Sequence, residues 1–207
     1  LAFMKFSLLS NQLNRQLISG TQFINEIKTF MKNQTKEDAQ WLLAQAYLKE
    51  GNNQQVIDLM LSIYPDILDQ ETDVTSIMIS ASHLTIALRR HNDPRYKILQ
   101  DKIKVHVDIM VNNNLNYEQT GMMLPSLLMV AGNNEGALKA LHHMYVENDF
   151  YILTNTLSHW AFFTELKQSP KFIEIEDIAQ NKLAEKVKVF KQQLATRKTE
   201  NENNSVE

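Results

Sequence analysis

The fold is decided by the stretch Ala44-Gln-Ala-Tyr47-Leu-Lys-Glu-Gly51-Asn-Asn-Gln-Gln-Val56-Ile57-Asp-Leu-Met60. On both sides of Gly51, apolar residues recur three or four positions apart, which is the spacing of one face of an α-helix. Glycine and asparagine end helices because both tolerate the left-handed backbone conformation at a helix terminus. The stretch therefore predicts two helices joined by a tight turn. Ala44 is small enough to let the two helices approach, and Tyr47 fills the groove between them.

The same helical periodicity continues along most of the chain and predicts an all-α protein. Glycine (5) and proline (4) are scarce among the 207 residues, whereas an average protein has roughly 12% of the two together. Long helices joined by short loops need few turn residues, so the scarcity supports the helical interpretation. A long last helix is predicted to open at Ser169-Pro170. The polar residues 199–207 lack any apolar period, and we expect a disordered tail there.

Two short patterns recur at nearly the same offset. Gly-Asn-Asn occurs at positions 51 and 132, which are 132 − 51 = 81 residues apart. Asp93-Pro-Arg-Tyr96 is matched by Ser169-Pro-Lys-Phe172, 169 − 93 = 76 residues later. Such self-similarity is the mark of helical arrays. The interpretation is a single array domain over residues 1–198, with an N-terminal helix pair (1–34), a first unit (35–114) and a second unit (115–198).

The first unit resembles a tetratricopeptide repeat. Five residues stand at that family's spacing: Ala44, Tyr47, Gly51, Val56 and Met60. The second unit matches at Leu128, Gly132, Ala137 and Leu141, but Pro125 stands where the family has a small residue. The resemblance implies antiparallel helix pairs stacked as a short α-solenoid with a concave groove, followed by the long C-terminal helix.

A second resemblance lies near the C-terminus. Phe162-Phe-Thr-Glu-Leu-Lys-Gln-Ser-Pro170-Lys-Phe172, running into a long charged helix, resembles the end of helical-repeat regions in bacterial regulatory proteins. In those proteins the array follows a winged-helix DNA-binding domain or a nucleotide cyclase domain. The chain begins with leucine, which we interpret as a piece of a longer protein. The compartment stays open: cytoplasmic, or periplasmic if a membrane-spanning regulator carries the array.

The register of the repeat predicts the residues that face the concave groove: Trp41, Gln45, Lys49, Met122, Ser126 and Met129. Trp41 falls one position after the family's usual core tryptophan, on the groove side. The large apolar area of tryptophan favours the core instead, so both placements stay open. The flexible thioethers of the methionines suit adaptable binding surfaces and irregular cores alike.

Composition argues against several kinds of chemistry. The net charge is −3, from 21 basic and 24 acidic residues, so there is no global electrostatic case for nucleic acid. Cysteine is absent and no two of the six histidines stand four positions apart, which removes thiolate sites and the one-helix zinc motif. The apolar runs are shorter than the roughly 18 residues that a membrane span needs. We expect no catalytic site, metal, cofactor, direct nucleic acid contact or membrane span in this region.

The leading hypothesis is a non-catalytic helical-repeat module that binds a protein, peptide or ligand. It would be the sensor or interaction part of a larger bacterial regulatory protein in transcription or signalling. The alternative is a structural module whose apolar faces pack on a homodimer partner without any ligand. An α-helical enzyme is disfavoured, because catalysis needs convergent polar groups and the spacing of residues identifies none.

Overall fold

A computed structural model describes residues 8–9, 12, 17–31, 36–113, 122–148 and 161–204. Helices account for 79% of this structure, and no strand occurs among the described residues. The predicted all-α class is therefore confirmed. Most of the first helix of the predicted N-terminal pair lies outside the described residues.

Eight α-helices follow one another in the described chain. They are α1 (Gly20–Met31), α2 (Lys36–Lys49), α3 (Asn53–Ile63), α4 (Met78–Arg90), α5 (Tyr96–Asn112), α6 (Met123–Val130), α7 (Asn134–His142) and α8 (Pro170–Asn204). Two 3-10 segments, Thr75–Ile77 and Ala161–Leu166, precede α4 and α8. A π-helical turn, His143–Glu147, continues α7.

Two helix boundaries differ from the sequence predictions. Pro125 is the third residue of α6, where its missing N–H removes no intrahelical bond, so it does not kink a longer helix. The predicted start of that helix, near Tyr117, lies outside the described residues. α8 continues to Asn204, so residues 199–204, which were expected to be disordered, are helical. Extending an existing helix carries no nucleation cost, which lets polar residues continue one that apolar residues began.

Three helix ends share one hydrogen-bond pattern. After α2, α4 and α6, a backbone N–H donates to the carbonyl five residues earlier. These bonds join Asn52 to Tyr47 at 2.9 Å, Asp93 to Leu88 at 2.9 Å and Asn133 to Leu128 at 2.8 Å. The residue before each donor has positive φ: Gly51 at 74°, Asn92 at 59° and Gly132 at 85°. The two Gly-Asn-Asn turns are thus confirmed as left-handed helix ends, and Asn92 makes a third between them.

Most helix–helix contacts join helices that are consecutive in the chain, and others join helices that are two apart. Each helix from α1 to α7 contacts the next, and α4 contacts both α2 and α6. As a result α4 is enclosed on all sides: every residue from Ala81 to Leu88 is buried. Its hydroxyls stay satisfied, because Ser82 and Thr85 donate to the carbonyls of Met78 and Ala81 at 2.8 and 2.7 Å.

Candidate functional site

The face of the array made by α2, α4 and α6, which we call the inner face, holds a short segment of the same chain. This inner segment is the 3-10 turn Ala161–Leu166, which packs on α2 and α6 and contacts α4 through Phe162 and Glu165. Phe162, Phe163 and Leu166 are buried, whereas Thr164 and Glu165 between them are exposed. The inner segment therefore presents its apolar side to the array and its polar side to solvent.

Specific side-chain contacts fix the inner segment. The ring of Phe162 lies 4.9 Å from that of His83 on α4, between centroids. Arg89 donates to Glu165 at 2.8 Å, across the partly exposed edge. Phe163 lies 6.2 Å from Phe172 on α8, so the inner segment also ties α8 to the array. Burial of the two phenylalanines contributes most, since an exposed ion pair adds about 0–1 kcal/mol.

The six predicted groove residues divide into two sets. Gln45, Ser126 and Met129 are buried, while Trp41, Lys49 and Met122 are partly exposed. Repeat register gives the direction of a side chain, but it does not say what packs on it. At the three buried positions there is no open groove in this structure. That the six residues bind a partner stays a prediction.

The three partly exposed residues have neighbours of their own. Trp41 packs at the edge of the core shared by α1 and α2. Met122 accepts a hydrogen bond at its sulfur from the Tyr145 hydroxyl, at 3.5 Å. Burial, and then the charge of Lys167, lowers the pKa of Lys49 to about 8. Lys49 is a cation held partly out of water, with its ammonium 5.8 Å from the centroid of Phe23.

Beneath the inner segment, Gln45 and His83 form a buried polar pair. The Nδ1–H of His83 donates to the carbonyl of Ile79 at 2.8 Å, and the side-chain oxygen Oε1 of Gln45 lies 2.9 Å from Nε2. Burial lowers the pKa of His83 to about 4, so the ring is neutral at neutral pH. A neutral ring with its proton on Nδ1 accepts at Nε2, so this contact is a hydrogen bond only when the Gln45 amide is turned to place its nitrogen there. In the orientation given, that nitrogen is buried without a hydrogen-bond partner. A lone histidine on an apolar helix gives no sequence signal for this pair.

An open cavity of about 910 Å³, which we call the lateral groove, lies among the end of α5, α6, α7 and the start of α8. Its apolar lining includes Val111, Leu124, Leu128, Leu138 and Ile175. The charged or titratable residues around it carry both signs: Glu135, Lys139, His142, His143, Glu147, Lys171 and Glu174. The predicted site residues do not include any of these, because a groove among several helices depends on how those helices pack.

Two histidines and a glutamate order one rim of the lateral groove. Nδ1 of His142 and Nδ1 of His143 lie 3.2 and 2.6 Å from the two carboxylate oxygens of Glu147. These hydrogen bonds, chiefly the one from His143, lower the pKa of Glu147. All three side chains are about half exposed. Among the described residues, no three histidine, aspartate or glutamate side chains are arranged to hold a metal ion.

The start of α7 forms another part of the rim. The side chain of Asn133 caps this helix by accepting from the N–H of Gly136 at 2.8 Å. A Cβ on Gly136 would lie only 2.7 Å from the Asn133 side chain, so the cap requires glycine here. The cap fixes the first residue of α7 and hence the positions of Glu135 and Lys139.

No family model, curated protein or solved structure matches the chain. The resemblances to tetratricopeptide repeats and to bacterial regulatory proteins therefore rest on the quoted residues alone. None of the described helices is long and apolar enough to cross a membrane.

Proposed function

We propose that this chain is a non-catalytic helical-array module that binds a segment of a partner protein in the lateral groove. The observation that carries the proposal is the cavity itself, about 910 Å³ with an apolar lining and charged rims. Its size falls within the range of about 300–1,000 Å³ for ligand sites. Charges of both signs around an apolar floor suit a peptide segment better than a simple anion, because a peptide offers apolar side chains and paired polar groups.

The three left-handed turns support a repeat of about 40 residues. Gly51, Asn92 and Gly132 follow one another at 92 − 51 = 41 and 132 − 92 = 40 positions. We therefore infer that the unit of the array is one helix pair, half of the roughly 80-residue unit that the sequence predicts. The pairs are α2–α3, α4–α5 and α6–α7. A stacked α-solenoid of the tetratricopeptide kind remains our proposal for their arrangement.

Within this proposal the chain acts as the interaction or sensor part of a larger bacterial regulatory protein. Support comes from the residues that carry the C-terminal resemblance. Phe162, Phe163 and Phe172 are all buried, so this stretch packs on the array up to and including the first turn of α8. An array closed on its inner face offers partners its lateral surfaces.

The proposal is tested with two matched variants of α5. Val111 lines the lateral groove and is 50% exposed, whereas Val105, on the same helix, is 62% exposed and does not line it. Val111→Asp should abolish capture of the partner from a lysate of the cells that make the protein, and Val105→Asp should not. Quantitative mass spectrometry of the captured proteins is the readout, with thermal melts to show that both variants fold. If both variants recover the same proteins as the unmodified chain, the lateral groove is not the binding site.

The alternative function, a homodimeric assembly module, draws on a different observation. Apolar side chains stand exposed on the second half of α8, among them Val187, Phe190 and Leu194. A second copy of the chain would cover them if α8 paired with itself. Whether a second copy can cover these residues depends on the charges beside them.

A further inference from the structure

The second half of α8 projects from the array. Lys182 makes a hydrogen bond to the array, donating to the carbonyl of Val146 at 2.6 Å. Every residue from Ala184 to Leu194 is exposed, and the helix continues to Asn204. At about 1.5 Å per residue, the part beyond Lys182 is roughly 33 Å long.

A narrow apolar stripe runs along this projecting part. It consists of Leu183, Val187, Phe190 and Leu194, which we call the α8 seam. Leu183 is partly buried, and the other three side chains are 42, 60 and 50% exposed in that order. The spacing of four, three and four residues is that of a coiled-coil seam. At 100° per residue the seam is roughly 60° wide, narrower than the stripe of 100° or more with which a helix covers a broad apolar surface.

The seam continues the contact that α8 already makes. Phe172 and Ala179 lie within about 40° of the same stripe by helical rotation, and both are buried where α8 packs on α7 and the π-helical turn. The same apolar stripe is therefore buried by helix packing in the first half of α8 and exposed to solvent in the second half. Its geometry suits another helix.

Lysines flank the seam on both sides. Lys186 precedes Val187 and Lys191 follows Phe190, which are the two positions that meet the partner helix beside a coiled-coil seam. Residues 182–198 carry six basic side chains and one acidic side chain: Lys182, Lys186, Lys188, Lys191, Arg197 and Lys198 against Glu185. In a parallel pair of copies Lys186 would face Lys191 of the other copy, and such like-charge contacts are unfavourable. The charges thus disfavour a second copy and favour an acidic partner.

We propose that the α8 seam docks an amphipathic helix of a partner protein whose apolar stripe is flanked by acidic residues. The partner helix would cover Val187, Phe190 and Leu194, and its carboxylates would lie beside Lys186 and Lys191. This surface is separate from the lateral groove, so the proposal holds or fails independently of the function proposed above.

The probe is a synthetic heptad peptide with leucine at both seam positions and glutamate at both flanking positions. One control peptide has lysine at the flanking positions, and a second keeps glutamate there but has serine in the seam. Fluorescence anisotropy should show the first peptide binding at least about tenfold more tightly than either control. Its affinity should fall as salt is added, because salt screens exposed charges.

Matched variants of the chain locate the site. Phe190→Ser combined with Leu194→Ser should weaken the acidic peptide about tenfold or more. Val189→Ser is the control, since Val189 is 49% exposed but lies off the seam. Reversing both flanking charges, with Lys186→Glu and Lys191→Glu, should transfer the preference to the lysine-flanked peptide. All five positions are exposed, and circular dichroism melts verify that the variants fold.

Several results would overturn the proposal. Equal binding of the leucine and serine versions of the acidic peptide would mean attraction by charge alone. A dimer seen by sedimentation and abolished by Phe190→Ser with Leu194→Ser would make a second copy the occupant. Binding to vesicles of anionic phospholipid that the same double variant abolishes would make it a lipid surface. Absence of binding to the acidic peptide would contradict the proposal directly.

Discussion

Gly51 and Gly132 hold backbone conformations that residues with a Cβ adopt only at a cost. Gly51→Val and Gly132→Val should each lower the free energy of unfolding by about 1–2 kcal/mol. A Cβ at Gly51 would meet nothing within 4 Å, so the loss there is one of backbone strain. At Gly132 it would lie 3.3 Å from the amide nitrogen of Gln100, which donates to the carbonyl of Val130. The loss at Gly132 should therefore be the larger.

Denaturant melts measure both losses, and Asn92 supplies the control. Asn92→Gly should leave stability unchanged or slightly higher, because glycine adopts the positive φ of 59° at this position more readily than asparagine. Valine variants with unchanged midpoints would mean that the turns are not left-handed.

His83 makes stability depend on pH in a defined window. Its pKa is about 4 in the folded chain, below the ordinary value of 6.5. Between these pH values the unfolded chain binds a proton at His83 and the folded chain does not, so stability falls as pH drops from 6.5 towards 4. The slope from this one group is about 1.4 kcal/mol per pH unit.

Comparison with His83→Gln isolates that slope. Carboxylates titrate in both proteins, so the difference between their free energies of unfolding should change only in the His83 window. Melts at a series of pH values provide the measurement. Parallel pH profiles for the two proteins would show that His83 is solvated rather than buried beneath Phe162.

The backbone amides in the two halves of α8 should differ in their protection from hydrogen exchange. Ile175 and Ala179 pack in the core, whereas residues from Ala184 to Leu194 are exposed. Without tertiary contacts a helix of this length is only marginally stable, so its amides open often. Hydrogen exchange followed by mass spectrometry should show fast exchange beyond Lys182 and slow exchange in α4. Equally slow exchange in both would mean that the projecting half of α8 is covered in solution.

The helices themselves follow from local signals that the sequence carries. Glycine ends α2 and α6, and Asp73 opens the stretch before α4, where its side chain accepts from the N–H of Thr75 at 2.9 Å. The third left-handed turn also had a signal, since Asn92 follows Arg89 and Arg90 at a helix end, where basic residues and asparagine are typical. This turn is not among the sequence predictions, because the adjacent Asp93-Pro94 is interpreted only as the beginning of the next helix.

The candidate functional site could not be predicted from local sequence patterns, because tertiary packing brings its residues together. The periodicity around Gln45, Ser126 and Met129 shows a helix face but not what covers it. Phe162 packs against His83, 79 residues earlier by 162 − 83, and no spacing rule connects the two. The lateral groove likewise lies among four helices, and no local pattern predicts how they pack. At Gln45, Ser126 and Met129 the repeat register therefore points to positions that the chain itself covers.

At the scale of the whole molecule, the inner segment determines which surfaces remain available. It covers the inner face of α2, α4 and α6, encloses α4 and connects the array to α8 through Phe163 and Phe172. The lateral groove and the exposed part of the α8 seam consist of residues outside the inner segment. The lateral groove includes the start of α8, which the inner segment contacts through Phe163, so this proposed site depends on the inner segment lying where the structure places it.

The most direct test of that placement is a double-mutant cycle between His83 and Phe162. His83→Gln and Phe162→Leu, alone and together, should show a coupling free energy of about 0.5–1 kcal/mol in denaturant melts, because their rings are in contact. Phe190→Ala replaces Phe162→Leu in the control cycle, and its effect should add to that of His83→Gln within about 0.3–0.5 kcal/mol. Coupling confined to the His83–Phe162 pair is the result this structure predicts. Additivity in both cycles would contradict it, because the inner segment would then not lie on α4.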